Sequence, residues 1–232
     1  AIARLKKGET IDKYLHNGYS TMSLGYIGLY EMTYLMKGCS QTVEPGKEFA
    51  LRVMDYMKDR CAKWKEETGI AFSLYGTPAE NLCGLQVKQF RKKYGIIEGV
   101  SDREYVSNSF HCHVTEDITP IQKQDLENRF WDLSNGGKIQ YVKYPIDYNT
   151  EAIKTLIHRA MDMGFYEGVN LSLAYCDDCG HQELEMDVCP VCGSRNLTKI
   201  DRMNGYLSYS RVHGDTRLND AKMAEIAERK SM

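Results

Sequence analysis

Four of the eight cysteines in this 232-residue chain fall in two Cys-x-x-Cys pairs, Cys176 with Cys179 and Cys189 with Cys192, nine residues apart. Each pair can form a knuckle whose turn aims both thiolates the same way, and two knuckles bring four sulfurs to one tetrahedral centre, the coordination that zinc takes with thiolate sets. Gly180, Pro190 and Gly193 are turn residues that suit such knuckles. A closed four-sulfur site leaves no open coordination position, so the metal expected here holds structure. Two reactive dithiols or a disulfide pair are the other readings of the spacing. His181 lies between the pairs, but four thiolates already complete the set. Cys39, Cys61, Cys83 and Cys112 are scattered, which argues for reduced thiols plus one metal over a disulfide framework.

With 42% hydrophobic and 27% charged residues, the chain can build one good core and a small appended module. Lys and Arg number 30 against 32 Asp and Glu, and no block of like charge runs along the chain, so no nucleic-acid footprint is expected. A zinc ribbon that docks on nucleic acid or a partner is an alternative reading, but residues 176–192 hold no Lys or Arg and carry Asp177, Asp178, Glu183, Glu185 and Asp187. No apolar run is long enough to span a membrane and no signal peptide is legible, so the expected location is the cytoplasm. The chain opens on Ala1 in a Leu-, Lys- and Arg-rich segment that reads as the middle or end of a helix, so a longer protein is expected.

The elements that must position these cysteines read as an α/β body. Apolar residues from Phe49 to Trp64 fall at helical intervals after Pro45, predicting a helix over 46–67 that Gly69 ends. A strand follows over 70–75, then a helix from Pro78 to Lys93 with Leu82, Leu85, Val87 and Phe90 as its apolar positions. Thr119, Pro120 and Gln122 predict an N-cap, a proline in the first turn and a capping box, and that helix should end at 134–137. A strand over 138–144, a helix over 150–163 carrying Met161 on its apolar face, a strand over 169–175 and a charged helix over 219–230 complete the reading. Residues 19–36 read as a helix interrupted by Gly25 and Gly28. The expected division is 1–175 for the body, 176–200 for the ribbon and 201–232 for a terminal loop and helix.

Beyond the ribbon stands Arg202-Met-Asn-Gly205-Tyr206-Leu207, with Gly205 in a short polar turn. Alone, a glycine in a turn is usually there for its permissive backbone. A four-cysteine ribbon leading into a near-terminal Arg-x-x-Gly-Tyr-Leu, however, resembles the C-terminal region of the anaerobic, class III ribonucleoside-triphosphate reductases, which are glycyl radical enzymes. The resemblance extends to Gly25-Tyr-Ile-Gly-Leu-Tyr-Glu31, Tyr75-Gly-Thr-Pro-Ala-Glu-Asn81, Asn108-Ser-Phe-His111 and Gly136-Gly-Lys-Ile-Gln-Tyr-Val142, and so covers essentially the whole chain.

The resemblance implies the C-terminal part of a ten-stranded α/β barrel of glycyl-radical type with a zinc ribbon and a radical loop. It implies that Gly205 is the radical residue, formed by a radical-SAM activating enzyme with an iron–sulfur cluster, and that Cys176, Cys179, Cys189 and Cys192 hold zinc. Its implied reaction reduces ribonucleoside triphosphates, with formate as reductant, in a homodimer. The radical passes to a cysteine upstream of Ala1, in the N-terminal part of the same reductase; Cys39, Cys61, Cys83 and Cys112 match no such context. A free-standing glycyl radical subunit that repairs a damaged partner is the other reading.

Thr77, Ala79 and Glu80 are candidate substrate contacts, since a strand-to-helix turn offers free N–H groups to a triphosphate. Glu80 would itself repel phosphate. The plain alternative makes Thr77 an N-cap with Pro78 at the first helical position. Asn108 and His111 are read at a strand end, near substrate or formate, or as structural residues.

Overall fold

After a single helical turn, α1 (Asp12–Leu15), the chain runs through strand β1 (Thr21–Tyr26), helices α2 (Leu29–Lys37) and α3 (Gly46–Thr68) and strand β2 (Ala71–Gly76). The computed structural model describes residues 4–17, 20–144, 148–203 and 205–231. Strands β1 and β2 pair in parallel, from Thr21 opposite Ala71 to Tyr26 opposite Gly76. The helix expected over 19–36 is therefore corrected to a strand followed by a helix; Tyr19, its first residue, lies outside the described residues. The apolar positions Met22, Leu24 and Tyr26 recur every second residue, as a strand requires. Gly28, at φ 74°, then turns the chain into α2.

Helix α3 follows its expected stripe, with Ala50, Met54 and Cys61 buried and Gly69 at φ 70° ending it. Together with Leu29, Leu74, Phe110, Phe130 and Trp131 these side chains form the main core. Helix α4 (Asn81–Tyr94) starts at Asn81, not at Pro78, and Glu80 takes the N-cap position without a side-chain cap. Thr77 is thus not the N-cap and Pro78 is not in the first turn. The stretch before the helix is held along the end of the sheet instead: the Thr77 side chain lies over Gly25, where a Cβ would collide with it, and Ala79 is buried in a second core with Cys83, Val87 and Tyr105. The face of α4 is also corrected, since Cys83, Gly84 and Val87 are buried while Leu82 and Leu85 are 47% and 49% exposed.

Helix α5 (Pro120–Trp131) has the expected capping box between Thr119 and Gln122. Strand β3 (Gln140–Lys143), helix α6 (Thr150–Asp162) and strand β4 (Glu167–Asn170) follow, with β3 and β4 parallel. On α6 the residue buried is Ala160, and Met161, expected inside, is exposed. The two parallel pairs are joined where Gly136 N–H donates to Leu74 C=O (2.7 Å) and Gly76 N–H donates to Gly137 C=O (2.9 Å).

The strand expected over 169–175 is two strands. Strand β5 (Leu173–Cys176) leaves the parallel pair and joins β6 (Gln182–Leu184), β7 (Leu197–Arg202), β8 (Leu207–Val212) and β9 (Asp215–Thr216) in an antiparallel sheet of order β6-β5-β7-β8-β9. Helix α7 (Asp220–Glu228), capped by Asn219, returns to pack on α4, where Ala221 fills the space above Gly84. No helix among the described residues is long and apolar enough to cross a membrane.

Candidate functional site

The two Cys-x-x-Cys pairs build the same turn twice. Cys176 N–H donates to His181 C=O and Gly180 N–H returns to Cys176 C=O; Cys189 N–H donates to Ser194 C=O and Gly193 N–H returns to Cys189 C=O, all at 2.8–2.9 Å. Gly180 and Gly193 sit at φ 80° and 73°, a backbone region that disfavours any side chain. The Asp178 carboxylate accepts from Asn196 Nδ2 at 2.9 Å and from the Ser194 hydroxyl, tying one knuckle to the other. The ligand atoms of Cys176, Cys179, Cys189 and Cys192 consequently all lie within 4.8 Å of one another. Cys176 and Cys192 sulfurs are 3.6 Å apart, and Cys179 and Cys189 sulfurs 3.5 Å. A tetrahedral zinc with bonds of about 2.3 Å needs sulfurs about 3.8 Å apart, so the set fits this ion. His181 pairs with Glu183 at 3.2 Å and stands outside the cluster.

The four sulfurs shift one another in opposite directions. The Ser194 N–H favours a Cys192 thiolate, but the neighbouring thiols and burial push it up to about 12. At Cys189 burial is outweighed by the Cys192 and Val191 N–H groups and the neighbouring thiols, which pull it down to about 6. A dication at the centre would favour the thiolate at all four. The scattered thiols differ: burial pushes Cys83 and Cys112 up to about 12, so neither is a reactive thiolate.

At the opposite end of β7 from Cys176, the chain turns into β8 with Met203 N–H donating to Tyr206 C=O at 2.9 Å. Gly205 lies on this hairpin and faces the C-terminal end of β2. A Cβ on it would meet only the Pro78 ring, at 3.5 and 3.6 Å. Gly205, Pro78, Tyr75, Gly76, Lys138, Ile139 and Tyr166 line one cleft of about 170 Å³. Of the expected substrate contacts, Glu80 touches the hairpin directly, accepting from Tyr206 Oη at 2.6 Å. Thr77 and Ala79 flank Pro78 without lining the cleft.

Three anchors hold the hairpin, and two of them were not read from the sequence. Arg202 lays its guanidinium 5.9 Å from the Tyr141 ring centroid and over Gly168, whose missing side chain leaves the room: a Cβ there would stand 2.6 Å from Nε. Arg229, on the residue after α7, donates to the carbonyls of Arg202 and Met203 at 2.8 Å each. The sequence signal for the latter was Glu225 and Arg229 at i,i+4 on a helix read only as charged. Tyr206 with Glu80 is the third.

Asn108 forms an isolated antiparallel bridge with Ile27 beyond the end of β1, and His111 closes the turn that follows, its N–H donating to Asn108 C=O at 3.0 Å; both are buried. His111 Nδ1 pairs with Glu127 Oε2 at 3.0 Å, and Glu127 also holds the buried Lys123. Burial pushes His111 below its ordinary value, against the pull of Glu127. The geometry makes this trio part of the core.

A mixed α/β body whose terminal ribbon carries a four-thiolate cluster at one end and a glycine hairpin at the other defines a class in which a metal-sized knot holds a glycine against a strand end. The chain belongs to the anaerobic ribonucleoside-triphosphate reductase family, whose model matches residues 1–232. It is 37% identical over 215 residues to the anaerobic ribonucleoside-triphosphate reductase of Haemophilus influenzae, covering 88% of this chain and 30% of that one. It is 34% identical over 235 residues to the enzyme of the same name from Enterobacteria phage T4, covering 97% of this chain and 37% of that one. The chain thus spans about a third of the length of these curated relatives. A solved anaerobic ribonucleotide reductase superposes with a TM-score of 0.74 at 21% identity, over 91% of this chain and 34% of that one. A Thermotoga maritima anaerobic ribonucleotide reductase in complex with dATP and CTP superposes with a TM-score of 0.66 at 22% identity, over 82% and 32%.

Proposed function

We propose that Gly205 stores an unpaired electron, and that the chain is the C-terminal part of an enzyme reducing ribonucleoside triphosphates to deoxyribonucleoside triphosphates. One observation carries the reading: Gly205 stands on a two-stranded hairpin over Pro78, in the cleft at the C-terminal end of β2. Ligands of parallel α/β sheets bind beyond the C-terminal ends of the strands. A glycine suits the role because its α-carbon, free of a side chain, can become planar once a hydrogen is removed and share the electron with both flanking peptides.

The activating partner is a radical-SAM enzyme with an iron–sulfur cluster, which removes that hydrogen. In turnover one hydrogen atom moves from a cysteine S–H of the N-terminal part to the Gly205 α-carbon: the S–H bond breaks, the Cα–H bond forms, and the unpaired electron is left on sulfur. The strand-to-helix turn that carries Thr77, Ala79 and Glu80, together with the positive end of the α4 dipole, receives the triphosphate. The dATP and CTP of the Thermotoga maritima complex support a nucleotide ligand for that protein's fold. Zinc on Cys176, Cys179, Cys189 and Cys192 closes the ribbon, and the four thiolates keep β5 and β7 in register. The four parallel-paired strands β1 to β4 support a share in a ten-stranded barrel, with 1–175 as its C-terminal part, 176–200 as ribbon and 201–232 as radical loop and helix. Formate as reductant, a homodimer and a cytoplasmic location complete the proposal.

The test is electron paramagnetic resonance of the full-length reductase, anaerobic, after activating enzyme, S-adenosylmethionine and reductant. A doublet that collapses with α-deuterated glycine and vanishes in Gly205→Ala is the expected result. A zinc-replete, folded protein that gives no doublet with an activase proven on another substrate would overturn it.

A further inference from the structure

Beyond the hairpin, the C-terminal helix holds an arrangement of charge that a solvated helix does not need. Arg229 is 8% exposed. Its Nη1 donates to Arg202 C=O and its Nη2 to Met203 C=O, each at 2.8 Å, while Nε donates to Glu225 Oε1 at 2.8 Å. Nη2 reaches Glu225 Oε2 at 3.3 Å and Nη1 reaches Asn170 Oδ1 at 3.4 Å. Glu225 also pairs with the buried Lys222.

The two carbonyls are chosen by place. Arg202 opposite Leu207 is the last ladder pair of β7 and β8, and Met203 is two residues from Gly205. Beyond this point the hairpin is exposed, whereas the guanidinium is fixed from behind. Ala221 seats α7 on Gly84, and the amides of Lys230 and Ser231 both donate to Val114 C=O, at 2.8 and 3.3 Å. Arg229 is not among the residues that line the cleft with Gly205. A planar fork with two parallel donors fixes two successive carbonyls in both distance and angle, which a lysine ammonium does not.

We infer that Arg229, braced by Glu225, is a positioning residue that sets where Gly205 stands over the β2 end, and thereby the efficiency of hydrogen-atom transfer between Gly205 and the substrate-side thiol. This rests on the reading of Gly205 as the radical residue. Radical formation by the activating enzyme needs only access to the glycine α-carbon; transfer inside the cleft needs its position, and a misplacement of about 1 Å costs roughly a hundredfold. Arg229 therefore acts on turnover per radical, not on radical yield.

The experiment compares full-length wild type with Arg229→Lys, Arg229→Gln and Glu225→Gln, each checked for zinc content, reading spins per chain and turnover per spin after activation. Expected are spin counts within about twofold of wild type and turnover per spin lower by roughly tenfold to a hundredfold in Arg229→Gln, with a smaller loss in Arg229→Lys and Glu225→Gln. Arg229→Ala, measured alongside, should lose turnover per spin as Arg229→Gln does, and added guanidinium ion should restore part of that loss. Spins and turnover falling together, with turnover per spin unchanged, would reduce Arg229 to a structural ion pair and overturn the inference. Should Arg229→Gln fail to fold, Glu225→Gln, which keeps the guanidinium but removes its charged brace, decides by the same ratio. If wild type itself gives no doublet, the reading of Gly205 falls and this inference with it, a result distinct from an unchanged ratio in the variants.

Discussion

Among the described residues, a methyl group at position 205 would meet the Pro78 ring at ordinary contact distance, so Gly205→Ala is a substitution the hairpin can accept. It should retain zinc and thermal stability within about 0.5 kcal/mol and lose the doublet entirely; a large loss of stability would mean that the position is structural. Glu31 offers a second residue-level prediction. Its carboxyl is fully buried and accepts from the Ser107 amide and hydroxyl through Oε1, and burial outweighs these hydrogen bonds and pushes it up to about 7. Folding thus favours the protonated form. The stability this gives is complete below the unfolded value near 4.5 and is lost as pH rises through about 7, on the order of 3 kcal/mol across that window. Glu31→Gln keeps the acceptor for Ser107 and should flatten that loss, measured as denaturation midpoints at pH 5 and pH 8; parallel curves for the two proteins would refute it. At this scale the clustering of the four cysteines was legible because a tetrahedral ion demands paired spacing. Arg229 and Glu225 were not, because a charged helix face is as compatible with water as with a buried clamp, and only the fold decides between them.

Elements were legible where local chemistry is self-contained. The capping box of Thr119 and Gln122 and the glycine stop after α3 each depend on a few adjacent residues, and each stands where the sequence put it. The failures came where partners outside the window decide. Met22, Leu24 and Tyr26 alternate as a strand, but the aromatic run that continues into α2 masked the change of period. Residues 169–175 read as one apolar strand, and nothing local marks the switch from the parallel partner β3 to the antiparallel partner β7. The late start of α4 follows from Thr77 packing on Gly25, a contact from another strand. The same logic gives a prediction for helix packing. A Cβ at Gly84 would overlap the Ala221 methyl, and neither backbone can yield without moving α7. Gly84→Ala should cost about 1–3 kcal/mol despite the better helix propensity of alanine. Because α7 carries the brace of Arg229, it should also lower turnover per spin; a variant more stable than wild type would show that α7 and α4 are not tightly seated.

Across the whole molecule, the apolar clusters are of unequal strength, and the ribbon has the smallest of the three. The body has Phe110, Phe130, Trp131 and Leu74 at its centre, whereas the apolar cluster of the ribbon, among the described residues, is Ala174, Cys176, Met186, Cys189 and Leu197. Two of these five belong to the proposed zinc set, so this cluster is small for five strands, and in the proposed reading a metal bond supplies the rest. The body does not share that dependence, since its parallel pairs and α3 are closed by side chains far from the sulfurs. Chelation, or Cys192→Ser, should therefore raise amide hydrogen exchange throughout β5 to β9 while β2 and α3 keep their protection. The hairpin is the extension of β7 and β8, so loss of the ladder also frees Gly205 from Pro78. Turnover should fall with zinc content even though no ligand touches the cleft. Lower pH should promote the same release, because thiolates must be deprotonated to bind and protons compete with the metal as pH falls. Exchange that rises equally in the body and the ribbon on chelation would show instead that the two cores unfold as one cooperative unit, with the metal stabilising the whole.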